Sequence, residues 1–185
     1  MLDRSRSKDA REGRVQVDRF VGEGDAASLL GKGSVSITSE SADQNWTPGT
    51  ARSVYEAAVE SQLIGAGYDT IHSGNAPGQV AELRLSRDVL TAAEEKRSPV
   101  SGSAAVSVGT YGSAYGLALN VDMTKPRTAL VSTRLEARII DKATGRVLWE
   151  GRAVIATREG DDKWNDTEIA ARLSEALFDG FPRNG

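Results

Sequence analysis

Two long runs of alternating apolar residues, about 128–141 and 146–158, follow one another with no helical pattern between them. This juxtaposition constrains the fold more than any other feature. Strands joined so tightly must pair antiparallel, because a parallel pair needs a crossover of about a dozen residues or more. The joining stretch IIDKATGRVLWEG, residues 139–151, also predicts the register. With Gly145 in the left-handed conformation, Ala143-Thr144-Gly145 closes a three-residue loop with a bulge and Lys142 faces Arg146. Ile139 then meets Trp149, Leu135 meets Ala153 and Thr133 meets Ile155 on one face. Arg138 meets Glu150 and Glu136 meets Arg152 on the other, so opposite charges lie across the ladder. A register two residues tighter sets Glu136 against Glu150, and a shift by one sets the apolar face against the polar one.

The D-x-x-T-G-x-x-x-W pattern inside this hairpin also occurs in quinone-dependent propellers, where it repeats every ~40–50 residues. Here it occurs once, which excludes a propeller and makes Trp149 a core anchor rather than a ligand-stacking ring.

Upstream, residues 1–14 carry eight charges and almost nothing apolar, so they read as a solvated tail. Val15, Val17 and Phe20-Val21 predict a first strand ended by Gly22, and GSVSITSE (33–40) a half-buried second. Between Thr50 and Ala66 the period changes: Ala51, Tyr55, Val59 and Leu63 recur every four residues, an amphipathic helix stopped by Gly67. Tyr68–His72 reads as a short strand, and Ala81–Leu90 as a longer one with Leu83, Leu85 and Val89 on one side. A closing helix is expected from Asn165, with Glu168 completing a capping-box spacing and Ile169, Leu173, Ala176 and Leu177 as its stripe. The predicted fold is therefore α+β: a mostly antiparallel β-sheet with two main helices packed on one face, in a single domain over 15–185.

Composition removes several classes of chemistry. The chain has no cysteine, so thiol catalysis, disulfides and Cys-metal sites are excluded. Because His72 is the single histidine, triads, His-rich zinc sites and most general-base chemistry lose their commonest residue, and the default for it is a surface or hydrogen-bonded role. A net charge of −3 does not suggest a nucleic-acid partner, and no run approaches the ~18 apolar residues of a membrane span. The residues after Met1 contain no apolar h-region, so no signal peptide is expected in this stretch.

Three local motifs invite chemistry and fail its requirements. GEGDAA (22–27) fits a loose dinucleotide pattern, but Gly31-Lys32-Gly33 ends any helix after about one turn, where the pyrophosphate needs a full one. Gly31-Lys32 is followed by Gly33 rather than Ser or Thr, so Lys32 is no Walker lysine. EGDDKWND (159–166) gathers four acids without calcium-loop spacing, and acids before a helix are explained by its dipole. The remaining carboxylates supply no acid–base pair that spacing singles out. No catalytic residue, cofactor or metal site is assigned.

The order of segments carries a resemblance. VDRF (17–20), the helix VYEAAVESQLIGAGYD, AELRLSRDVL, the stretch YGSAYG, the hairpin LEARIIDKATGRVLWEGRA and the closing LSEALFDGFP follow in turn. Over about residues 15–182 this resembles an uncharacterised domain-of-unknown-function family of bacterial envelope lipoproteins. The resemblance implies export by a lipoprotein signal, acylation of an N-terminal cysteine and a periplasm-facing outer-membrane anchor. Neither signal nor cysteine is in these residues; the expectation is that both were removed for soluble expression and that 1–14 include linker or vector. The family has no established catalytic residues to carry over.

The functional expectation is a non-catalytic envelope domain that binds or scaffolds an unidentified protein or ligand. The alternative is a subunit of an oligomeric envelope assembly or secretion complex, and a third reading is a carboxylate hydrolase. Ser98–Val121 holds 24 uncharged residues. Residues 115–123 are expected to join the sheet and about 92–112 to form a mobile loop, with Tyr111 and Tyr115 as candidate partner contacts.

Overall fold

The computed structural model describes residues 9–41, 49–72, 78–93 and 126–182. Among these residues five strands form one sheet: β1 (Val15–Val21), β2 (Val35–Ser41), β3 (Gln79–Thr91), β4 (Leu130–Asp141) and β5 (Val147–Arg158). Their order across the sheet is β1-β5-β4-β3-β2. All neighbours pair antiparallel except β2 with β3. That parallel pair brackets the helix α2 (Gly49–Gly65), which supplies the crossover a parallel connection requires. The one-turn α1 (Ala26–Leu29) follows β1, and α3 (Asp166–Leu177) follows β5. This is the α+β sandwich the sequence predicts, with α2 and α3 packed against each other over one face.

The reason lies in the alternation. Most odd-numbered residues of the central strands, among them Leu83, Leu85, Leu135, Ile139, Ala153 and Ile155, are buried. They meet Ala51, Tyr55, Val59 and Leu63 of α2 and Ile169, Leu173 and Leu177 of α3, all buried as well. Asn165 caps α3 by accepting the Glu168 amide at 2.9 Å, as the capping-box spacing implied. Trp149 stands at the centre, 2% exposed, stacked on Phe178 at 5.1 Å and edge-on to Phe181 at 5.2 Å. Gly151 makes room for it: a Cβ there would lie 2.5 Å from the indole and 2.6 Å from Leu177. A buried polar latch ties the far end, where Tyr68 donates to Gln79 Oε1 at 2.6 Å and Gln79 Nε2 donates to the Leu29 carbonyl at 2.8 Å.

The hairpin keeps the predicted pairs Ile139–Trp149, Arg138–Glu150, Glu136–Arg152, Leu135–Ala153 and Thr133–Ile155. Its turn differs. The Asp141 amide donates to the Arg146 carbonyl and the Gly145 amide to Asp141, so four residues form the loop. The register shifts between Ile139 and Ile140, which leaves Leu148 as the extra residue. The bulge therefore lies in β5, not at Gly145, although Gly145 is left-handed (φ +70°) as predicted. Moving it there lets the consecutive apolar pair Leu148 and Trp149 both face the core.

Two further expectations are corrected. Tyr68–His72 is not a strand: only Asp69 makes a bridge, to Ser34, and its carboxylate folds back to accept the Ile71 and His72 amides. Val89 shares the side of Leu83 and Leu85 but is 65% exposed, because β3 runs on past the helix layer. Residues 9–14 are the described part of the expected tail; Glu12 bridges Ala156 and pairs with Arg158 at 3.6 Å. The expected strand at 115–123 and loop at 92–112 lie outside the described residues, apart from Ala92 and Ala93.

Candidate functional site

The sheet face opposite the helices carries the even-numbered residues, and the registers align them in rows. One row crosses all five strands: Asp18, Arg152, Glu136, Arg84, Glu40. Its charges alternate at every step. The next row, one pleat away, reads Phe20, Glu150, Arg138, Glu82, Thr38. Along each of the three central strands the sign alternates again, giving a checkerboard. Like charges side by side on a ladder are destabilising, so the pattern is the arrangement in which a densely ionic face costs least.

Two of the contacts are close. Arg152 Nη2 donates to Asp18 Oδ2 at 2.7 Å, and Arg138 Nε to Glu150 Oε1 at 2.6 Å. The Asp18 carboxylate, by hydrogen bond and charge, and then the charge of Glu136, hold the Arg152 guanidinium above its ordinary range. These groups line a hollow of about 810 Å³ on the open face, together with Arg19, Thr38 and Ser39. Phe20 sits at its β1 side with 69% of its surface exposed. Arg19, on the opposite side of the strand, turns under the sheet edge and donates to the carbonyls of Leu177 and Ala176, fixing the end of α3.

The motifs singled out in the sequence lie elsewhere. His72 is exposed, its Nδ1 2.8 Å from Asp69 Oδ2, and that hydrogen bond lowers the Asp69 carboxyl. Within GEGDAA, Asp25 starts the one-turn α1 and accepts from Arg146 at 2.6 Å, which holds its carboxyl low. In EGDDKWND, Asp161 accepts the Lys163 amide at 3.0 Å and Asn165 caps α3. Among the described residues no three acidic or histidine side chains gather as a metal would require. Tyr111 and Tyr115 lie outside the described residues. The hollow itself escaped sequence reasoning except for its β4–β5 pairs. The signal present was the i, i+2 alternation of sign in Glu82/Arg84, Arg134/Glu136/Arg138 and Glu150/Arg152.

No family model matches the chain, and no curated protein matches it. Among solved structures, it is similar to a PelC dodecamer subunit from Paraburkholderia phytofirmans, at 11% identity and a TM-score of 0.49, covering 89% of this chain and 95% of that one. It is also similar to a PDZ domain protein from Parabacteroides distasonis, at 14% identity and a TM-score of 0.49. That likeness covers 93% of this chain and 37% of the other. At such scores neither likeness bears on what this chain binds.

Proposed function

We infer that this chain is a non-catalytic binding or scaffolding domain of a bacterial envelope lipoprotein, facing the periplasm and lipid-anchored to the outer membrane in the full-length protein. The carrying observation is the ionic checkerboard around the open hollow. General acid–base work calls for two titratable groups whose surroundings push them apart. Here carboxylates alternate with arginines on every rung, an arrangement suited to holding a partner rather than moving a proton. The segment order described from the sequence supports the envelope assignment.

The test is in-cell photo-cross-linking from Glu82 on the open face and from Arg172 on the helix layer, with membrane fractionation. Adducts from position 82 alone, in the outer-membrane fraction, are expected. Equal adducts from both positions, or a cytosolic chain, would overturn the reading.

A second reading, a subunit of an oligomeric envelope assembly, is favoured by the sheet edges. Among the described residues β1 and β2 end the sheet, and the outer edge of β2 is engaged only at its start, where the Val35 amide donates to the Asp69 carbonyl. The pairings also make β1 antiparallel to β2, so another copy's β1 could add to β2 in the antiparallel sense. Sedimentation velocity at rising concentration distinguishes the two readings.

A further inference from the structure

The open face combines high charge density with a sign that alternates from strand to strand. Five carboxylates (Asp18, Glu40, Glu82, Glu136, Glu150) and the guanidiniums of Arg84, Arg138 and Arg152 line one hollow. Each of these arginines stands between two acids on its row. A guanidinium has five N–H donors and a carboxylate about four lone-pair sites. Single contacts such as Arg138–Glu150 and Arg152–Asp18 therefore leave most donors and acceptors facing solvent, on side chains 44–75% exposed.

Such a grid selects its ligand by exclusion. A strongly charged ligand meets its own sign one rung away wherever it lies, and like-charge juxtaposition is what interfaces use to reject partners. A neutral ligand dense in groups that both donate and accept meets no such conflict. Vicinal hydroxyls fit that description: one donates to a carboxylate oxygen while its neighbour accepts from a guanidinium.

The second observation is Phe20. A phenylalanine is ordinarily buried, yet this ring is 69% exposed and lines the same hollow, beside Glu150 on its row. It offers a flat apolar surface next to convergent polar groups, the combination that defines a small-ligand site, and the hollow's 810 Å³ falls within the ~300–1,000 Å³ of such sites. A pyranose has one apolar C–H face and an equatorial rim of hydroxyls.

We propose that the open sheet face binds a neutral oligosaccharide, one sugar ring stacked on Phe20 and the following rings held through their hydroxyls by the alternating carboxylates and arginines of β5, β4 and β3. The inference rests on the open face being the binding surface.

The experiment is a titration of the ¹⁵N-labelled protein with cellohexaose, maltohexaose and chitohexaose, followed by amide shifts at about 50 and about 500 mM NaCl. Saturable shifts confined to β1, β5, β4 and β3 with one of the three are expected, with an affinity that salt leaves unchanged. Phe20→Ala should weaken binding about tenfold, as loss of a contact hot spot does. It should leave thermal unfolding in place, because the ring is exposed. The double variant Arg138→Gln/Glu150→Gln should weaken binding too, with an unaltered amide spectrum outside the face. No saturable shift with any of the three sugars, shifts on the helix layer, or an unweakened Phe20→Ala would overturn the proposal. So would salt-labile binding of an alternating Glu-Lys peptide in the absence of sugar binding, but that outcome leaves the face as a binding surface. Loss of the cross-links from position 82 would instead remove the functional reading itself.

Discussion

Trp149 shows how one side chain sets demands on its neighbours. Its ring fills the space between β5 and the end of α3, against Phe178 and Phe181. Trp149→Ala should cost about 3–5 kcal/mol in chemical denaturation, as for other buried large aromatics. A loss below about 1 kcal/mol would mean the ring is not the anchor its burial implies. Gly151→Ala tests the same contact from the other side. The added methyl would stand 2.5 Å from the indole and 2.6 Å from Leu177, so overpacking of about 1–3 kcal/mol is expected. The anchoring role was legible, because a tryptophan in a strand opposite Ile139 has few other uses. The glycine's role was not. Only the folded ring position shows why residue 151 has no side chain.

At the scale of the element, the hairpin pairs from Ile139–Trp149 outward are predictable from sequence, but the turn and bulge are not: Ile140 pairs with Val147, and Asp141 rather than Lys142 faces Arg146. Alternation and cross-strand charge specify a register, because both are properties of residues directly opposite one another. A bulge is decided by what the extra residue can bury, and Leu148 finds the core only after the helices are in place. Tyr68–His72 departs from the expected strand for a local reason: its apolar residues, Tyr68 and Ile71, do not alternate, and the Asp69 side chain captures the following amides. The central ion pair can be tested by a double-mutant cycle on Arg138 and Glu150. Arg138→Glu and Glu150→Arg alone should each destabilise the domain, and the swapped pair should restore a coupling of about 0.2–1 kcal/mol. A coupling of zero would mean that water, not the partner, satisfies these groups.

At the scale of the whole molecule, the two sheet faces divide the labour: one is closed by helices and the other left ionic. The buried side was readable from period alone. The rows of the open face were not, since aligning β1, β5, β4, β3 and β2 requires the tertiary order of strands. Stability at high pH follows from the closed side. Burial pushes the Tyr68 phenol up to about 12, and burial with the nearby Asp166 charge raises Tyr55 further. Below pH 10 folded and unfolded chains both hold neutral phenols, so stability is intact. Above it the unfolded chain ionises first and stability falls by about 1.4 kcal/mol per phenol per pH unit. Absorbance at the phenolate band should therefore show Tyr55 and Tyr68 ionising only with unfolding; ionisation of all four tyrosines near pH 10 in a folded sample would contradict their burial. The strand order also dictates a sequence of events in time. β4 and β5 close over four loop residues, whereas β1 reaches β5 across the whole length of the domain, Val15 beside Ile155. Closing a loop of roughly 140 residues costs more chain entropy than closing a hairpin, so the hairpin can nucleate and β1 must wait. Substitutions at Ile139 and Ile155 should then slow refolding, with φ-values of about 0.5 or more, while Val17→Ala should leave refolding alone and speed unfolding. A nascent chain synthesised from its N-terminus thus holds its first described strand unpaired until the last one has been made.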